Sequence, residues 1–323
     1  MGAMAQYRAV QVQEDGHPVV RLTEVESGSE VAVSPAFGAN SYDYHVNGKR
    51  VFWTTPNASL GELIAKQRMG GNPLLSPWAN RIEGLSYEAN GKKYHLNPDL
   101  GNLRLDQNKN PIHGLVTFTK LWQVREVSAQ KDHALVRLSL DCSKQPDWLA
   151  QFPFPHRLEI TYKLVANSLE VITSVENLAT EPMPLAIGYH PYFQLSDAPR
   201  DEWQVTIPAK DLLVLSPKLI PTGERKPNPY AAGMKLAGVV LDDVFGGLEE
   251  RATFRVKGKT QTIDVVYGKD YTIGVVYAPA GQGFICFEPM TAPTNAFNTP
   301  GAAKTIAPGM TWRESYWIQT SGF

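Results

Sequence analysis

The chain has 323 residues, 43% of them hydrophobic, with 31 basic and 32 acidic side chains and a formal net charge of -1. That balance excludes a nucleic-acid surface and a polybasic membrane patch, and it favours a small uncharged molecule as partner. Cys142 and Cys286 lie far apart without metal-ligand spacing, so neither a disulfide framework nor a zinc site is expected.

Short alternating segments separated by turn residues recur along the chain. Tyr44-His45-Val46 and Arg50 to Trp53 flank Asn47-Gly48, the strongest local hairpin signal. Ser59 to Ile64 predicts a short helix. Leu85 to Glu88 and Lys93 to Leu96 flank a second Asn-Gly pair, Asn90-Gly91. Ala134 to Leu140 alternates with period two, as a half-buried strand does. Arg157 to Leu164 and Leu169 to Val175 predict a hairpin turning at Ala166-Asn167-Ser168. Further strands are predicted at Trp203 to Ile207, Leu212 to Leu215, Thr253 to Val256, Thr262 to Val266, Tyr271 to Tyr277, Gly283 to Phe287 and Trp312 to Gln319.

So many strands, jointed by 24 prolines and 26 glycines, predict an all-β fold, a large antiparallel β-sandwich. No repeat, low-complexity tract or linker marks a boundary, so one domain over residues 1–323 is expected. No apolar run is long enough to span a bilayer, and Met1 to Arg8 lacks a signal core. Met1-Gly2-Ala3 reads as a remnant of cloning. The expected location is the cytoplasm.

Five segments look unlike strand filler. Asn72 to Ile82 holds two prolines and ends on Asn80-Arg81, a dense set of donors suited to sugar hydroxyls, or to tying loop carbonyls together. Pro111-Ile112-His113-Gly114 places a histidine in a loop, facing a cavity or serving structure. Gly188-Tyr189-His190-Pro191-Tyr192-Phe193 sets an imidazole between flat rings at a strand end, where Pro191 holds His190 extended. Leu241 to Leu248 offers Asp242 and Asp243 beside an aromatic and two glycines, either as sugar ligands or as a turn. Phe284 to Ala296 carries Glu288 directly after an apolar run. There a carboxylate is partly desolvated and becomes a better proton acceptor, before Pro289 forces the chain out of the sheet.

No nucleophile elbow, phosphate-cradling glycine loop or H-E-x-x-H helix is present. A histidine acid with a glutamate base, and no metal or cofactor, points to paired proton transfers.

Together and in this order, Pro77 to Ile82, Ile112 to Leu115, Gly188 to Phe193, Asp242 to Phe245, and Phe287-Glu288-Pro289 with Pro293 to Ala296 resemble the aldose 1-epimerase (galactose mutarotase) family. The resemblance runs from about Ala32 to the C-terminus and implies the galactose mutarotase-like supersandwich. It also implies an isomerase that interconverts α and β anomers of free hexoses such as galactose and glucose by acid–base ring opening. Glu288 would then be the base and His190 the acid. His113 would assist at the ring oxygen, and Arg81, Asn80 and an aspartate would bind hydroxyls. Relatives place that aspartate three residues before the phenylalanine, which selects Asp242, with Asp243 beside it. Leu115 to Phe118 lacks the arginine many relatives carry. The expected partner is a sugar alone, for a monomer or homodimer. Two other readings stand on the same fold. One is a hexose-6-phosphate 1-epimerase, disfavoured because no arginine cluster accompanies Arg81. The other is a carbohydrate-binding protein without catalysis.

Overall fold

The computed structural model describes residues 6–323, in which the alternating segments pair into antiparallel ladders. The suspected cloning remnant at Met1-Gly2-Ala3 falls outside them. His156–Val165 and Ser168–Asn177 run in strict register, from His156 opposite Asn177 to Val165 opposite Ser168. Burial alternates along both, so Leu158, Ile160, Tyr162 and Leu164 face the core while charged neighbours face water. At both Asn-Gly pairs the two turn residues have positive φ: Asn47 50° and Gly48 73°, Asn90 52° and Gly91 70°. Those are the angles a two-residue hairpin turn requires. The short helix is Leu60–Ala65, held by a reciprocal cap between Ser59 and Glu62.

Two large sheets make the sandwich. A nine-stranded sheet centres on Thr311–Ser321, Ser168–Asn177 and His156–Val165. An eight-stranded sheet contains Leu241–Gly246, Ile273–Ala278, Ile285–Met290 and Gly188–Tyr189 as successive neighbours. The inner faces interlock through aromatics. Phe287 lies 5.7 Å ring to ring from Phe254, and Tyr189 lies 5.1 Å from Tyr316. The Tyr189 hydroxyl also bonds the Thr173 hydroxyl of the opposite sheet at 2.6 Å. Each such buried side chain contributes about 1.5–3 kcal/mol. Among the described residues no helix is long and apolar enough to cross a membrane.

Two departures from the sequence reading matter. The N-terminal segment forms strands Tyr7–Glu14, His17–Glu24 and Ser29–Ser34, which join Asn40–Val46 in a further sheet. The outermost, Tyr-Arg-Ala-Val-Gln-Val-Gln-Glu, is mostly exposed at a sheet edge, and its pattern is correspondingly weak. The second departure concerns Pro289. It does not force the chain out of the sheet: Ile285–Met290 runs straight through it, with Pro289 opposite Gly274 and Glu288 opposite Val275. Glu288 is therefore inside a strand rather than at its end.

On the other edge of this strand, Gly188 pairs with Met290, and Tyr192 pairs with Cys286. Both pairs share one register, and continuing it between them sets His190 opposite Glu288. Between those pairs the ladder lapses, since Pro289 and Pro191 have no N–H to offer, and the His190 N–H donates to the Pro73 carbonyl at 3.1 Å.

Gly188 permits the close approach that this register needs. A β-carbon there would stand 2.7 Å from the Pro289 carbonyl oxygen and 2.8 Å from Met290 Cγ. Gly188→Ala is expected to cost about 1–3 kcal/mol through overpacking and to lower the denaturation midpoint. An unchanged midpoint in urea would show that the two strands tolerate wider spacing.

Candidate active site

Strand alternation sends Glu288 away from the aromatic core and into an open cleft of about 220 Å³. Asp242, opposite Tyr277 on the adjacent strands, faces the same cleft. Its neighbour Asp243 belongs to the opposite face and does not line it, so strand geometry separates the two aspartates. Asp242 keeps contact with solvent, whereas Glu288 is only 2% exposed.

Loops supply the rest of the wall. The segment after Leu74–Leu75 is bound on both sides: Ala79 N–H donates to the Ala186 carbonyl at 2.6 Å, and Asn295 N–H to the Arg81 carbonyl at 2.8 Å. His113 N–H donates to the Asn80 carbonyl at 2.9 Å, which fastens the two loops at the cleft. Asn80 and His113 both adopt left-handed backbone, with φ of 56° and 66°. Such angles are uncommon outside glycine and concentrate at functional sites. Gly114 follows at φ 68°, pressed against Ser76, where no β-carbon fits.

The Asn80 side chain accepts from Arg81 Nη1 at 2.9 Å, and Asp106 accepts from Arg81 Nε at 2.8 Å. Burial pushes the Asp106 carboxyl up, but N–H donors from Asn110 and Asn108 together with Arg81 outweigh it and hold the group below the usual range. Arg81 is thus a clamped cation, aimed at the cleft by a carboxylate that stays charged.

His190 Nε2 lies 3.2 Å from Glu288 Oε1. The imidazole stacks on Tyr192, with centroids 4.6 Å apart and planes 7° apart, and meets His113 edge-on at 5.5 Å. Tyr277 closes a third side at 6.0 Å. Tyr189, the other tyrosine beside His190 in sequence, points into the core instead. Glu288 Oε2, His190 Nδ1 and His113 Nδ1 are buried and have no hydrogen-bond partner. Buried polar atoms left this way mark a place built for other partners.

Burial sets the electrostatics. It pushes the Glu288 carboxyl well above its ordinary range, helped by Asp242 and opposed by Arg81. It lowers His190 to about 3, with Arg104 and Arg81 adding to the effect, and holds His113 well below the usual histidine range. Burial therefore favours the neutral form of both partners of the His190–Glu288 pair.

All six residues selected from sequence, Asn80, Arg81, His113, His190, Asp242 and Glu288, line this one cleft. Sequence reasoning missed Asp106 and Arg104. Asp106 lies in a polar turn where nothing but the fold reveals its arginine. The expectation that no second arginine accompanies Arg81 is corrected: Arg104 lines the same cleft. It arrives there because the Ile112 N–H donates to the Arg104 carbonyl at 2.9 Å while Arg81 bridges Ile112 from the other side. The hairpin Ser86–Ala89 with Lys92–His95 separates the arginines in sequence, so no local pattern signals the meeting.

Comparison with known proteins bears on the family and the fold. The chain is 26% identical over 234 residues to the uncharacterized protein YihR of Escherichia coli strain K12, covering 70% of this chain and 71% of that protein. It is 30% identical over 175 residues to the galactose mutarotase of Homo sapiens, an alignment spanning 53% of this chain and 46% of the human protein. Among solved structures, a galactose mutarotase-like protein from Clostridium acetobutylicum superposes with a TM-score of 0.88 at 21% identity, covering 98% of this chain and 99% of that one. A galactose 1-epimerase from Lactobacillus acidophilus NCFM reaches 0.79 at 18% identity, covering 99% and 100%. At those identities the superpositions speak for the fold. The family described as aldose 1-epimerase matches residues 21–319, nearly the whole sequence. The chain belongs to the aldose 1-epimerase family.

Proposed function

We propose that this protein interconverts the α and β anomers of free aldohexoses, galactose and glucose among them, by acid–base ring opening. The observation that carries the reading is the buried His190–Glu288 pair, 3.2 Å apart on the wall of a polar cleft. Opening a cyclic hemiacetal requires a base for the C1 hydroxyl proton and an acid for the ring oxygen. Glu288 takes the first proton and the C1–ring oxygen bond breaks. His190 supplies the second proton to the departing oxygen, leaving an open-chain aldehyde. Rotation about C1–C2 and reversal of the steps give the other anomer, with no net change in protons.

One shared proton is the number this cycle needs. In the sugar-free site burial favours the uncharged couple, with the proton on Glu288. Sugar hydroxyls and the Arg81 guanidinium stabilise the carboxylate and move the proton toward His190. Arg81, Asn80, His113 and Asp242 hold the hydroxyls, and the Tyr192 and Tyr277 rings offer apolar faces to the sugar C–H groups. General acid and general base catalysis contribute about 10²–10⁴ each. The same reading takes the cytoplasm as the working compartment, where the buried free thiols Cys142 and Cys286 stay reduced.

Decay of optical rotation from fresh α-D-galactose or α-D-glucose measures the activity directly. Glu288→Gln keeps the volume and removes the proton acceptor, so kcat should fall at least about 10²-fold, and His190→Asn comparably. The double variant should lose far less than the product of the two, since the pair acts as a unit. A Glu288→Gln protein with the parental kcat would end this proposal.

The same carboxyl has a stability signature. Glu288 holds its proton more tightly folded than unfolded, where its value is near the ordinary 4.5. Its contribution to stability is therefore full below the unfolded value and is lost as pH rises through the folded one. Glutamine is neutral throughout and escapes that loss. Glu288→Gln should accordingly gain stability over the parent as pH rises from about 5 to about 9, read as a growing difference in melting temperature. A difference flat across that range would mean that Glu288 is not held protonated in the folded chain.

A further inference from the structure

We propose that Arg104 makes this cleft prefer, over the neutral hexoses it also opens, aldoses that carry a negative charge on the exocyclic carbon attached to C5, as a carboxylate or a phosphate ester. The inference rests on the ring-opening reading above and names the substrate class of that same site.

Among the described residues no ion pair or hydrogen bond reaches the Arg104 guanidinium. It lies over the Phe118 ring at 5.2 Å, and its Nη1 is buried without a partner. The residue as a whole is half-buried, but a buried guanidinium nitrogen is normally paired, because an uncompensated charge is costly to desolvate. Arg81 shows the ordinary solution in the same cleft, its charge answered by Asp106. Arg104 has no such carboxylate, and burial pushes its guanidinium down.

The two arginines differ in reach. Both bear on His113 and His190, but only Arg81 is felt by Asp242 and Glu288. Arg104 therefore stands on the histidine side, away from the two carboxylates that would repel an anion. Proton delivery to the ring oxygen comes from that side. C5 is bonded to the ring oxygen, so its exocyclic substituent leaves the ring toward the histidine wall. Arg104 also borders a second hollow of about 300 Å³, lined with Gly114, Phe118 and Trp148.

The test compares galactose with galacturonate and glucose with glucose 6-phosphate, by kcat/KM for anomer exchange on the full chain. The anionic member of at least one pair should be preferred by about tenfold or more, with a KM that rises with salt while that of the neutral sugar does not. Preference for galacturonate alone identifies a carboxylate, and for glucose 6-phosphate alone a phosphate. Arg104→Gln should collapse the anionic-to-neutral ratio, and Arg104→Lys should restore part of it. Neutral sugars preferred in both pairs would overturn the proposal whether or not the variants fold. So would a preference that survives Arg104→Gln. Should no sugar be turned over at all, the epimerase reading falls, and calorimetric binding of the same four sugars still decides the Arg104 assignment: tighter anionic binding supports it, and equal or weaker binding overturns it.

Discussion

A carboxylate held in the middle of a buried strand, facing an imidazole across the sheet, is the constraint around which this site is arranged. Glu288 lies inside Ile285–Met290, and His190 falls opposite it in the gap between Gly188–Tyr189 and Tyr192–Phe193, where Pro191 and Pro289 leave the ladder open. Facing residues at a non-hydrogen-bonded position bring their side chains as close as a sheet allows. The backbone register thereby sets the 3.2 Å contact between His190 and Glu288. A site built on strands holds its groups more precisely than one built on loops.

That placement is costly. Two ionisable groups lose most of their hydration, and burial drives both toward their neutral forms. The compensation is functional. Desolvation raises the carboxyl and depresses the imidazole, and the proposed ring opening uses this pair for its two proton transfers. Stability forgone at Glu288 is the familiar exchange between a robust fold and a reactive site.

Around this pair the loops behave as a brace. Asn80 and His113 accept unfavourable backbone angles, and each is fixed by a main-chain bond to its neighbour or to the other loop. Arg81 is clamped between Asn80 and Asp106, so its charge reaches the cleft without its side chain being free to collapse onto Glu288. Among the described residues Arg104 has no answering carboxylate, whereas Arg81 has Asp106.

Much was legible in the chain itself. Period-two alternation and the Asn47-Gly48 and Asn90-Gly91 turns announced an antiparallel β protein, because side-chain direction and turn dihedrals are local properties. The chemically unusual segments were legible too, since proline, glycine and a titratable residue in close succession have few structural uses. What the sequence could not determine was register and encounter. Whether Pro289 ends a strand or sits inside it depends on which neighbour asks for an N–H, and that neighbour lies about a hundred residues away. Asp242 parts from Asp243 only once a strand has chosen which face to bury. Arg104 enters the site through one backbone bond from Ile112 that no periodicity records. Local chemistry named the candidate groups, and the tertiary structure decided which atoms they face, because the distances between them arise only between segments remote in sequence.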